Sequence, residues 1–138
     1  MTYIQRIIMG FAAGIGKMGP ESQFIANKVS FVVGREIGEE MKLRGIISNE
    51  MDFLHIWERL NKELEIDPTA IFEEKSKEIT ITIKNCHICP KKVGKYPLPA
   101  TACPIGGILR GVYSVLRKEI ESQPELVPGQ ICKIILLR

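Results

Sequence analysis

The sequence predicts an α+β fold, with three helices, a hairpin, a fourth helix and a closing hairpin. Two observations carry this. Apolar residues recur at helical spacing as far as residue 66, and the period then switches to strict alternation over Glu78–Lys84. A third is the nearly all-apolar Ile131–Leu137, which belongs in the middle of a sheet or under helices.

Ile4, Ile7, Ile8, Phe11, Ala12 and Ile15 give residues 2–17 one apolar helical face. Gly19-Pro20 breaks the chain, and Pro20 suits the first turn of a second helix running to about Leu43. Gly34 and Gly38 lie four apart on it, either to admit close approach of another backbone or merely tolerated there. Arg44-Gly45 ends this helix. Ser48, Met51 and Asp52 open a third, with Met51, Leu54, Ile56, Trp57, Leu60 and Leu64 on its apolar side to about Ile66, where Asp67-Pro68 stops it. A short strand opens at Ala70, and Glu73–Lys77 forms the turn. The next strand places Ile79, Ile81 and Ile83 on one face and Thr80, Thr82 and Lys84 on the other. Residues 90–100 are loop by composition. Thr101 caps a fourth helix reaching about Lys118, with Gly106, Gly107 and Gly111 in its first turns. Glu119–Leu126 is a candidate strand, and Pro128-Gly129-Gln130 turns the chain into the last one.

At 138 residues this is one domain, 1–138, large enough for a real core without disulfide staples. Apolar residues at 45% and charged residues at 25% are an ordinary globular balance. The net charge of +3 is spread by mixed Lys and Glu rather than gathered in a basic stripe with aromatics, which argues against nucleic acid. Ile7–Gly16 has the apolar content of a signal segment but lacks a convincing cleavage site, and no run is long enough to span a membrane. The chain reads as cytoplasmic, where its four cysteines are thiols or metal ligands.

Cys86 and Cys89 have the spacing of a metal knuckle, since two thiolates three positions apart in a tight turn can hold one tetrahedral ion. Cys103 stands at a helix start and Cys132 on the last strand. Together the four would fill one structural zinc site if the fold gathers them. Otherwise Cys132 is a small buried hydrophobe and the Cys86–Cys89 pair a redox dithiol. His87 is crowded beside Cys86 as a co-ligand, and His55 reads as a helix-surface histidine. Lys91, Lys92 and Lys95 form a small basic loop, either solvated or holding an anionic group. Gly14-x-Gly16 lacks the preceding strand of a dinucleotide site, and no hydride-donor fingerprint or acid–base pair suggests a catalytic residue.

Gly34-x3-Gly38, the strand entering Asn85-Cys86-x2-Cys89, Cys103 followed by Gly106-Gly107 and Gly111, and Gly129-x2-Cys132 resemble the 4-vinyl reductase domain family, the hydrocarbon-binding proteins. Gly107-Ile-Leu-Arg-Gly111 is similar to a segment of the TRAPP vesicle-tethering subunits, which are related in fold. The resemblance covers roughly residues 20–137. It implies helices packed on a twisted antiparallel sheet of about four strands, a homodimer, and a pocket for a small hydrophobic molecule. Phe24, Phe31, Trp57, Ile108 and Tyr113 are the candidate walls. Related sensor domains hold zinc through cysteines and a glutamate. By position Cys103, Cys132 and Glu121 match those ligands, while Pro124 stands where the family often has a further cysteine. Cys86 and Cys89 supply what is missing, so the expected zinc site is Cys86, Cys89, Cys103 and Cys132, with Glu121 in reserve. The resemblance also leaves open a reductase or a tetrapyrrole- or cofactor-handling enzyme, and a protein-assembly subunit.

Overall fold

The computed structural model describes residues 1–121 and 123–138. Helix α1 spans Tyr3–Gly16, and the Thr2 hydroxyl accepts from Gln5 N while the Gln5 side chain returns to Thr2 N, a reciprocal cap. Helix α2 spans Ser22–Leu43 and α3 Phe53–Leu64. Asp52 caps α3 by accepting from His55 N, so this helix starts later than the Ser48 of the sequence expectation. It also stops earlier, at Leu64, because Glu65 takes a left-handed conformation with φ 50°. Strands β1 (Ile71–Glu74) and β2 (Glu78–Ile83) form the first hairpin. Helix α4 spans Ile105–Val115, shorter than expected at both ends. β3 is confined to Glu125–Val127, and β4 spans Cys132–Leu137.

The four strands form one antiparallel sheet in the order β1-β2-β4-β3. The alternation of β2 is realised, with Ile79, Ile81 and Ile83 buried on its inner face. β4, between β2 and β3, alternates too, and only Ile134 and Leu136 are fully buried. Those side chains meet α3 and α4 in a core containing Trp57, Leu60, Ile105, Ile108 and Tyr113. The Tyr113 hydroxyl donates to Phe53 O at 2.8 Å, and the two rings meet edge to face.

Helices α2 and α4 touch backbone to backbone. A Cβ on Gly34 would run into the Ile108 carbonyl, and one on Gly111 into that of Phe31. The glycine spacing therefore serves close approach of another backbone, and the contact fixes the height at which α4 begins. None of the helices among the described residues is long and apolar enough to cross a membrane.

Candidate functional site: a four-thiol pocket beside a wide cleft

Two segments, residues 84–104 and the start of the last strand, deliver the four cysteines to one place. Cys86 and Cys89 come from residues 84–104, which carry no helix or strand between β2 and α4. Cys103 lies just before α4, and Cys132 opens β4. All four line one pocket of ≈ 360 Å³ with Ile83, Ile105, Ile134 and three prolines, a nearly apolar enclosure. None of the four is in a disulfide.

The residues that hold these cysteines are polar and mostly far away in sequence. Asp67 is fully buried. Its carboxylate accepts from Thr69 N and Oγ1 at 2.8 and 2.7 Å, and from Lys84 N and Asn85 N at 2.9 Å each. Burial by itself raises its pKa, but these hydrogen bonds outweigh burial and hold it below the usual carboxylate value. The last two bonds fix the backbone immediately before Cys86. One residue beyond it, His87 N donates to Ile66 O at 2.8 Å. Gln23 of α2 clasps Cys103 through both backbone groups: Cys103 N donates to Oε1 at 2.7 Å, and Nε2 donates to Cys103 O at 2.9 Å. Sequence reading treated Asp67 only as a helix stop and passed over Gln23. An Asp-Pro step and a polar residue in a first helical turn carry no local sign of a partner 80 residues away.

Backbone donors are aimed at three of the sulfurs. The backbones of Ile88 and Ile105 hydrogen-bond the Cys86 and Cys103 thiols, and Lys92 N donates to Cys89 Sγ at 3.4 Å. The fourth, Cys132 Sγ, receives Lys92 Nζ at 3.6 Å and faces Gly129 O at 3.3 Å. Burial pushes the Cys86 thiol up to about 12, and the charges that Cys89 and Cys132 would carry push the same way. Cys103 is raised further, by burial first and then by the other three thiols. Cys86 and Cys103 are therefore neutral thiols at pH 7.

The family is decided by sequence comparison. The MJ0207 family model matches residues 19–138. This chain belongs to the MJ0207 family. It is 30% identical over 132 residues to the uncharacterized protein MJ0207 of Methanocaldococcus jannaschii, an alignment covering 94% of this chain and 85% of that protein. The MJ0207 family match takes in all four cysteines, Asp67 and Gln23, and begins after α1.

In this MJ0207 family member the soft, polarizable donor set suits a thiophilic metal. Its spacing is a separate matter. A single zinc ion needs thiolates about 2.3 Å away on all sides. Among the described residues no three His, Cys, Asp or Glu side chains are grouped so that they could hold one ion. As built, the pocket gathers the ligands expected for zinc without closing them on a point. Glu121, the reserve ligand, is exposed and lies outside the residues bordering the pocket. Pro124 packs against Gly106 and accepts a hydrogen bond from Asn27. His55 sits on the surface, its Nδ1 2.6 Å from Asp52.

A second cavity, a cleft of ≈ 900 Å³, lies among the start of α1, α3 and β1. Trp57, Leu54, Phe72, Ala70, His87 and Val93 border it. The five expected wall residues are not brought together. Trp57 borders this cleft, Ile108 and Tyr113 are packed in the core, Phe24 is half-exposed, and the Phe31 ring lies under Arg110.

Proposed function

We propose that this domain is a non-catalytic binding module for a small hydrophobic molecule, in which a thiophilic metal centre on Cys86, Cys89, Cys103 and Cys132 sets one wall of the ligand cleft. One observation supports this above the others: segment 84–104 borders both cavities. Cys86, Cys89 and Lys92 border the thiol pocket, and His87 and Val93 border the wide cleft. A segment without helix or strand longer than about 12–15 residues calls for a structural or functional reason, and clipping its two ends to each other and to β4 through metal–thiolate bonds supplies one. The cleft volume falls within the range of about 300–1,000 Å³ usual for small-molecule sites. The resemblance to hydrocarbon-binding domains points to the same ligand class. With every position around the metal taken by protein thiolates, no bound water is activated, so the centre is structural. Cysteines in this role are consistent with a reducing compartment such as the cytoplasm.

Trp57 is the only tryptophan in the sequence, so its emission reports the cleft directly. Titrating the metal-loaded protein with a naphthalene-type probe and with a medium-chain alcohol is expected to shift that emission saturably. A chelator or Cys103→Ala is expected to weaken the binding. No saturable change with either probe would overturn the reading.

The same reading has two copies pairing through α1. Its outward stripe, Tyr3, Ile4, Ile7 and Phe11, is exposed, as is Met18 in the turn just beyond it, and residues 1–20 contain no acidic side chain. Gly10 and Gly14 lie between Ile7, Phe11 and Met18, and a Cβ on either would meet nothing within 4 Å. Large side chains interleaved with glycines along one stripe match themselves across a two-fold axis.

A further inference from the structure

We propose that the occupant of the four-thiol pocket is an iron–sulfur cluster ligated by Cys86, Cys89, Cys103 and Cys132, rather than a single metal ion. This rests on the reading of the four thiols as one metal centre and deepens it by naming the guest.

The argument is one of size and spacing. The four cysteines line a common space, so they belong to one site. Yet no three ligating side chains among the described residues are grouped for one ion. The pocket volume, ≈ 360 Å³, is more than ten times the ~30 Å³ that a single water occupies in the liquid. A cluster resolves both facts. It presents separate iron atoms at its corners, each taking one cysteine from outside, so its ligands stand farther apart than those around one ion. The rest of the pocket suits such a guest. Ile83, Ile105, Leu126 and Ile134 keep its walls apolar. Pro90 and Pro104, each directly after a cysteine, line it without an N–H to draw in water. Backbone N–H groups point at three of the sulfurs, and Lys92 Nζ stands against the fourth. Hydrogen bonds to ligand sulfur and nearby charge are what tune a cluster's potential.

Loading needs no oxidant or reductant. A preformed cluster carried on four small-molecule thiolates exchanges each of them for a protein cysteine. Four iron–sulfur bonds break and four form, and the proton leaving each cysteine goes to the departing thiolate.

The test is anaerobic incubation of the metal-free full-length protein with a cluster carried on small thiols, followed by desalting and assay of iron, acid-labile sulfide and zinc. The same assay is run on protein purified anaerobically without additions. Expected are iron and sulfide in equal amounts, visible sulfide-to-iron charge-transfer absorption, and an electron paramagnetic resonance signal in one oxidation state. Each single Cys→Ser variant should show an altered signal or lose the cluster. Cys132→Ser changes a half-exposed position at a strand end, so its folding can be checked by circular dichroism alongside. About one zinc per chain on the four thiols, with no cluster retained, would overturn the inference and leave the metal-centre reading standing. Four free thiols with neither zinc nor cluster would overturn both.

Discussion

Asp67 is the side chain on which the pocket most depends, although it is not a ligand. Four donors converge on its buried carboxylate, two of them the backbone of Lys84 and Asn85. Asp67→Asn keeps the shape but turns an N–H group toward donors that need an acceptor. Hydrogen bonds to a charged group contribute about 1.5–3 kcal/mol each, so a loss of stability of at least about 2 kcal/mol is expected in urea denaturation, with weaker metal retention. The pH dependence has a definite sign. The folded pKa of Asp67 is depressed, so its contribution is complete above the unfolded value of about 3.9 and is lost as pH falls through the lower folded value. Gln23→Ala tests the other anchor. It frees the Cys103 N–H and C=O together, and unsatisfied partly buried groups cost about 1–3 kcal/mol. Gln23→Glu should restore only the half of the clasp in which Cys103 N donates.

At the scale of elements, the contact of α2 with α4 is the least forgiving. Gly34→Ala would set a methyl group against the Ile108 carbonyl, a backbone atom that cannot turn aside. Overpacking of this kind typically costs about 1–3 kcal/mol, and thermal unfolding should show it. The lowered melting point should be accompanied by a loosened pocket, because Ile105 and Cys103 lie at the end of α4 that this contact holds. Gly10→Ala, where a Cβ meets nothing, should leave monomer stability unchanged or slightly raised. Much of this level was legible in the sequence. The Ile79, Ile81, Ile83 alternation and the Gly34-x3-Gly38 spacing are local patterns, the first predicting the face it buries and the second leaving close approach as one of two readings. The four cysteines line one pocket, a gathering that the sequence left conditional on the fold. What local pattern could not supply is the anchoring. Asp67 reaches Asn85 across 18 residues and Gln23 reaches Cys103 across 80, and neither pairing leaves a periodic trace. The candidate wall residues are ambiguous for a related reason. An aromatic on an apolar helical face reads the same whether it lines a cavity, like Trp57, or fills the core, like Tyr113.

For the whole molecule, the raised thiols couple stability and metal binding to pH. Without metal, Cys86 and Cys103 keep their protons in the folded state well above the point where an unfolded chain releases them. Stability of the metal-free protein should therefore fall as pH rises beyond about 8.5, by up to about 1.4 kcal/mol per pH unit for each thiol. Metal binding must expel those protons, so affinity should rise with pH. Calorimetry in buffers of different ionisation enthalpy should find at least the two protons of Cys86 and Cys103 released at pH 7. At the same scale, the proposed pairing through α1 predicts that replacing the exposed Ile7 and Phe11 by Lys lowers the sedimentation coefficient to that of a monomer without unfolding the chain. An unchanged sedimentation coefficient would remove α1 as the pairing surface.

The proposed function stands on four cysteines from two segments acting as one metal centre. The most direct measurement is the total thiophilic metal per chain, zinc and iron included, in protein purified anaerobically without added metal, beside the four single Cys→Ala variants. The account predicts metal in the parent protein and a marked loss in every variant, Cys132→Ala among them. A parent protein free of such metal would contradict it, and so would metal that survives both Cys103→Ala and Cys132→Ala.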